Sequence, residues 1–229
     1  MAPTQTRLSP RKTPVQARST STVEAIFTAT IQVLIEFGLE RLTTTRVAER
    51  AGASVGTLYQ YFPNKSALLA AVLEKHLVQV VEAVESACLA AKGKALDDIA
   101  KDVVTAFVNA KLREPKTSMA LYAVAAEVGG AQVVARMTQR SQLALCDVLA
   151  CASDARFDDI RTVSFVIATA LVGPVQGLLA MGAPDPMVRS VSAHLVQLST
   201  AYLRACSAKP QMGNDARRRH NRAIPPRTL

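Results

Sequence analysis

Hydroxyl, amide and aromatic side chains crowd into one short stretch, Thr57, Tyr59, Gln60 and Tyr61, within the run LTTTRVAERAGASVGTLYQYFPNKSAL at positions 42–68. Hydroxyls can hold phosphate oxygens, and a glutamine amide can hydrogen-bond to a base edge. The chemistry on offer is contact with a nucleic-acid groove. Bond-making chemistry is not indicated: the sequence offers no Ser-His-Asp set, phosphate-binding glycine loop, metal-ligand spacing or paired carboxylates in a setting for catalysis. No cofactor is implied.

These side chains need a rigid support, and the surrounding pattern supplies one. Val47, Ala48 and Ala51 share the inner side of a short helix, a glycine at Ala51-Gly52-Ala53 allows a tight turn, and Val55, Leu58 and Phe62 return inward at helical spacing. Thr57, Tyr59, Gln60 and Tyr61 then face outward, which is the arrangement of a helix-turn-helix. A preceding helix braces the pair. Ser21 and Glu24 are spaced as a capping box, Val23, Phe27, Ile31 and Leu34 recur on one face, and Gly38 ends the helix. Pro63 and Asn64 begin a long helix whose stripe of Leu68, Val72 and Leu73 continues to about Ala91.

The chain resembles the tetracycline-repressor (TetR) family at Gly56-Thr57-Leu58-Tyr59, Tyr61-Phe62 and Asn64-Lys65, with Thr43-Thr44 and Val47-Ala48 upstream. The resemblance covers about residues 20–75 in detail. It implies DNA contact by Thr44, Thr45 and Arg46 at the start of the second helix, by Val55, Gly56, Thr57, Tyr59, Gln60 and Tyr61 in the third, and by Lys65. Thr44, Thr57, Tyr59, Tyr61 and Lys65 suit phosphates; Gly56 allows close backbone approach; Val55 suits a thymine methyl; Gln60 and Arg46 suit base edges. Two alternatives stand beside these roles: either tyrosine can pack on the first helix, and Arg46 can pair with Glu49 on the helix surface.

The resemblance also implies a small-molecule pocket in the body, whose filling changes the separation of two DNA-reading heads. Met119, Tyr122, Glu127, Met137 and Phe165 are candidates for its wall, and plain core is the alternative for each. Low aromatic content and few buried-charge candidates favour an apolar effector.

Composition agrees with an all-α chain: 49% of its 229 residues are apolar but only 4% aromatic, so Ala, Val and Leu must fill the core. Helical patterns follow at about 97–114, 116–128, 131–152, 158–181 and 186–206, giving about nine helices. The expected organisation is a flexible basic arm (1–19), a three-helix DNA-binding domain (20–66), a helical ligand-binding and dimerisation domain (67–207) and a basic, disordered tail (208–229).

Charge is polarised. Residues 1–75 carry 9 Lys and Arg against 5 acidic residues, residues 76–207 carry 12 against 12, and residues 208–229 carry 6 against 1. Basic ends on a neutral body suit a polyanion. Arg7, Arg11, Lys12 and Arg18 of the arm can enter a minor groove or stay unbound, and the run Arg217-Arg218-Arg219 can equally be a solvated tail. A general DNA-coating protein is the alternative to a specific regulator.

Cys88, Cys146, Cys151 and Cys206 show neither metal nor disulfide spacing and read as core, and no metal site is expected. The N-terminus lacks an apolar secretion segment, which predicts a cytoplasmic protein. From Thr162 to Pro184 no residue is charged, yet Ser164, Thr169, Gln176 and Gly173-Pro174 interrupt a membrane span. Burial at a homodimer interface is the preferred reading. A four-helix bundle of the last two long helices of each subunit would bring Phe165, Ala168, Leu171 and Val172 against Leu195, Leu198 and Tyr202. Two heads would then meet successive major grooves of a near-palindromic double-stranded DNA site.

Overall fold

The computed structural model describes residues 17–126 and 129–208, and these form α1 (Ala17–Arg41), α2 (Thr44–Ala51), α3 (Val55–Tyr61), α4 (Lys65–Ala90), α5 (Leu96–Leu112), α6 (Pro115–Ala125), α7 (Gly130–Ala150), α8 (Ile160–Ala170), α9 (Val172–Met181) and α10 (Asp185–Cys206). Among the described residues the regular elements are all helices, as the all-α reading expects. Only Leu171 separates α8 from α9, so the ten helices become nine when that segment is counted once. The break has a local cause: the ring of Pro174 collides with the carbonyl four residues earlier, at Ala170, where α8 stops.

α1 starts at Ala17, so Ser21 lies inside the helix and the expected capping box is not its start. Glu24 instead forms an ion pair with Lys75 of α4. Gly38, at φ 75°, interrupts α1 at the expected place; a side chain there would be strained. The arm residues Arg7, Arg11 and Lys12, and the tail from Lys209 onward, lie outside the described residues.

Three apolar clusters hold the chain together. The first joins Ile26, Val33, Val47 and Leu58 of the head, through Leu68 of α4, to Leu121 and Val124 of α6 and Val133 and Met137 of α7, so head and body share one core. A second lies among the far end of α4, α5, α7, α8 and α10, and a third among α5, α9 and α10. α4 runs through the centre, tied to α7 by Arg136–Glu74 at 2.9 Å and by a two-pronged Arg140–Glu85 bridge. At the far end, Asp154 accepts from the Leu96 N–H at 2.8 Å, capping α5, and pairs with Arg204 of α10. That N–H bond, before the arginine, holds the Asp154 carboxyl below its ordinary range.

Cys88 is core, and burial pushes its thiol up to about 12. Cys146 and Cys206 are half-buried, but Cys151 is exposed at the C-cap of α7, contrary to the core expectation. Two segments among the described residues are long and apolar enough to cross a membrane, Ser19–Arg41 and Ile160–Met181. The first contributes Ile26, Ala29, Val33 and Leu34 to the head core.

Candidate nucleic-acid interface

Each of the two short helices carries its own cap. Thr43 accepts from the Arg46 N–H at 3.2 Å to start α2, and Ser54 accepts from the Thr57 N–H at 2.9 Å to start α3. Between them Gly52, at φ 65°, is the left-handed residue that lets α2 end and the chain turn within three residues. Val47, Ala48 and Leu58 are fully buried and lock the two helices onto α1. Truncating Leu58 to alanine is expected to cost about 2–5 kcal/mol. Asn64 caps α4 through the Ala67 N–H at 2.8 Å.

With that inner side sealed, Thr45, Gly56, Tyr59 and Gln60 are exposed, and Thr44, Val55, Thr57, Tyr61 and Lys65 are half-buried around them. The hydroxyls of Thr44 and Tyr59 meet at 3.1 Å, and those of Ser54 and Thr57 at 2.8 Å. Of the candidate phosphate-binding hydroxyls, those of Thr44, Tyr59 and Thr57 are therefore each held by a second hydroxyl.

Three of the expected residues have work inside the head. Arg46 does not pair with Glu49: its guanidinium lies 5.1 Å from the Phe37 ring centroid and donates to the Arg41 carbonyl at the end of α1. Lys65 donates from Nζ to the Leu39 carbonyl at 2.9 Å, closing the same end of α1. Tyr61 packs against the head core beside Phe62, with ring centroids 6.4 Å apart, whereas Tyr59 remains 40% exposed. Neighbouring Arg50 is bound to Glu36 at 2.6 Å.

In the body a cavity of about 120 Å³ opens among α4, α5, α6, α7 and the α8–α9 segment. Of the residues named as candidates for a pocket wall, Tyr122 and Met137 line this cavity. Met119 and Phe165 do not; both are exposed, Phe165 by 50%. Glu127 lies outside the described residues. Sequence reading missed Lys111, His76 and Ser118, which with Tyr122 and with Thr138 and Ser141 of α7 make up the polar part of the wall. A signal existed: Lys111 follows Val104 and Val108 at i+7 and i+3, squarely on the buried stripe of α5.

The proposed subunit contact separates into two sets. Phe165, Val172 and Leu198 are exposed. Leu171 and Leu195 are instead buried in the monomer's own third cluster, because the helical period turns them inward, in line with Val175 on α9 and with Ser199 and Leu203 on α10. Ala168 and Tyr202 are half-buried against the second cluster. Among the described residues no group of three His, Cys, Asp or Glu side chains could hold a metal ion.

Comparison with known proteins adds two family matches: the model for bacterial regulatory proteins of the tetR family over residues 26–72, and that for the tetracyclin repressor-like C-terminal domain over residues 95–203. The HTH-type transcriptional repressor KstR of Mycolicibacterium smegmatis is 38% identical over 65 residues, 28% of this chain and 32% of that protein. The class C tetracycline repressor protein of Escherichia coli is 44% identical over 54 residues, 24% of this chain and 25% of that protein. The matched stretches thus span only a quarter to a third of those relatives. In fold, the fatty acid degradation regulator FadR of Bacillus halodurans aligns with a TM-score of 0.63 at 18% identity, over 80% of this chain and 96% of that one.

Proposed function

The chain belongs to the TetR family of bacterial regulatory proteins, and on that premise we propose that it is a homodimeric transcriptional repressor, released from a near-palindromic DNA operator by a small-molecule effector. One observation carries the DNA-binding part: α3 is sealed by Leu58 on one side and turns Gly56, Tyr59 and Gln60 outward on the other. A narrow helix with a bare glycine and no bulky charge can enter a major groove.

Under this reading Thr44, Thr57 and Tyr59 position the backbone, Thr45 and Val55 border the groove, and Gln60 reads base edges. Arg46, Tyr61 and Lys65 brace the head first and touch DNA from that braced position. One head covers too little duplex for high specificity, so two heads about 34–36 Å apart share a site. Phe165, Val172 and Leu198 supply the exposed apolar surface for a second subunit.

The body cavity is where an effector acts. Its wall includes residues of α4, α6 and α7, and all three helices also contribute to the core of the head. An occupant that favours one arrangement of those helices shifts the spacing of the heads. The reading places the protein in the cytoplasm with the chromosome and includes no catalytic step.

Selection of bound duplexes from a random pool, with excess random DNA as competitor, tests the reading. Recovery of one near-palindromic site bound by two subunits is the expected result. Equal binding to every sequence overturns operator recognition and leaves a DNA-coating role.

A further inference from the structure

Most of the cavity wall is apolar; Thr138 and Ser141 of α7 add neutral hydroxyls, and one corner carries a charge. Lys111 is 5% exposed, and among the described residues no carboxylate lies within ion-pair distance of it. Its ammonium sits instead 4.6 Å from the ring centroid of Tyr122. The Tyr122 hydroxyl is itself buried and, among the described residues, finds no hydrogen-bond partner. Among the described residues, then, no protein acceptor meets either the Lys111 ammonium or the fully sealed Tyr122 hydroxyl.

The neighbouring polar pair is satisfied and brings no second charge. Ser118 Oγ donates to the Lys111 carbonyl at 2.7 Å and lies 3.1 Å from His76 Nε2. Burial first, then the Lys111 charge, lowers the His76 imidazole to about 4, so the ring is neutral at physiological pH. Burial also lowers Lys111, to about 8, which still leaves the ammonium mostly protonated at neutral pH. Among the described residues Lys111 is thus the one charged residue lining this corner, while Glu114, which opposes the lowering of His76, lies outside the wall.

We propose that the effector, in the effector-responsive reading on which this inference rests, is a small apolar monocarboxylate whose carboxylate sits between the Lys111 ammonium and the Tyr122 hydroxyl. One carboxylate neutralises one ammonium and accepts from both donors. A dianion would bury an unpaired charge, and a neutral apolar molecule would leave both donors bare. Size follows from the volume: about 120 Å³ is close to the roughly 150 Å³ of an apolar cavity that takes up benzene. An aromatic ring or a chain of similar bulk fills the remainder of the wall, formed by Leu77, Val80, Phe107 and Met137.

Calorimetric titration of the full chain with benzoate and hexanoate, against benzyl alcohol and hexanol, tests the proposal. At least one acid should bind about tenfold or more tightly than its alcohol. Lys111→Met should remove that preference, weakening the acid about tenfold while the alcohol changes less than about threefold. Tyr122→Phe, a variant that keeps the ring, should weaken the acid by about three- to tenfold. Equal affinity for acid and alcohol, an unchanged acid affinity in Lys111→Met, or no binding of either acid overturns it. Operator release, read in the same samples, separates the two ideas. Release by an alcohol alone keeps the effector-responsive reading and sinks the carboxylate; acid binding without release keeps the site and sinks the effector-responsive reading.

Discussion

The hydroxyl of Thr44 and the phenol of Tyr59 lie 3.1 Å apart, joining the first residue of α2 to the middle of α3 across fifteen positions of sequence. The contact fixes α3 relative to α2 at the rim, while Leu58 fixes it underneath. Of the two hydroxyls so joined, the one that accepts keeps its own proton, and in the proposed complex that proton is free to go to a phosphate.

Tyr59→Phe removes the phenol oxygen and little else. Affinity should fall by about three- to tenfold for operator and random duplex alike, since a phosphate contact carries no sequence information. Fluorescence anisotropy at fixed salt measures both; a loss confined to the operator contradicts the phosphate role. A double-mutant cycle with Thr44→Val should be non-additive.

Lys65 closes the end of α1 through the Leu39 carbonyl. Lys65→Met should therefore lower the stability of the DNA-free protein by about 1 kcal/mol, seen as a reduced denaturant midpoint, besides weakening all duplexes equally. An unchanged midpoint would show that the bond has no net worth in solution.

Gln60 is exposed and free of the bracing that holds Arg46 and Lys65. Gln60→Ala should change which bases are selected by more than it changes overall affinity, with about 1–3 kcal/mol lost at the position read. An identical selected-site profile removes Gln60 from base recognition.

Leu198 is 53% exposed on α10, so Leu198→Glu should leave monomer stability within about 0.5 kcal/mol. Sedimentation equilibrium should nonetheless show dissociation, because a carboxylate would be buried without a partner in the subunit contact. A dimer as tight as the parent's would move the interface elsewhere.

His76 gives the stability a pH dependence whose sign follows from its lowered pKa. Unfolded, the imidazole titrates near its ordinary 6.5; folded, burial and Lys111 lower it to about 4, with Glu114 opposing. The unfolded chain takes up the proton first, so this contribution is complete above 6.5 and fades as pH falls to 4, by about 3 kcal/mol. Urea midpoints across that window should drop in the parent and drop less in His76→Gln.

The helical class and the head were legible because each rests on local rules. Helical spacing of Val47, Ala48, Leu58 and Phe62, a glycine at 52 and an asparagine at 64 specify two short helices, a turn and a long helix whatever else the chain does. The break within 158–181 was also written locally, in Pro174, although apolar composition alone reads through it. Outward positions such as Tyr59 and Gln60 follow from the same periodicity.

What periodicity cannot assign is the partner each side chain meets. Lys65 and Arg46 read as DNA contacts, with a Glu49 pair as the alternative for Arg46, and only the close return of α1 gives them the Leu39 and Arg41 carbonyls and the Phe37 ring. Leu171 and Leu195 look like interface leucines until the third cluster claims them. Lys111, His76 and Tyr122 come from three different helices, and their meeting at one corner depends on how α4, α5 and α6 are stacked. The sequence by itself determined the helices and the face each one buries, because hydrogen bonding and hydrophobic period act over neighbouring residues. Tertiary structure alone decided which charges were bound, which were stranded and where the cavity opened, because those depend on distances between segments far apart in the chain.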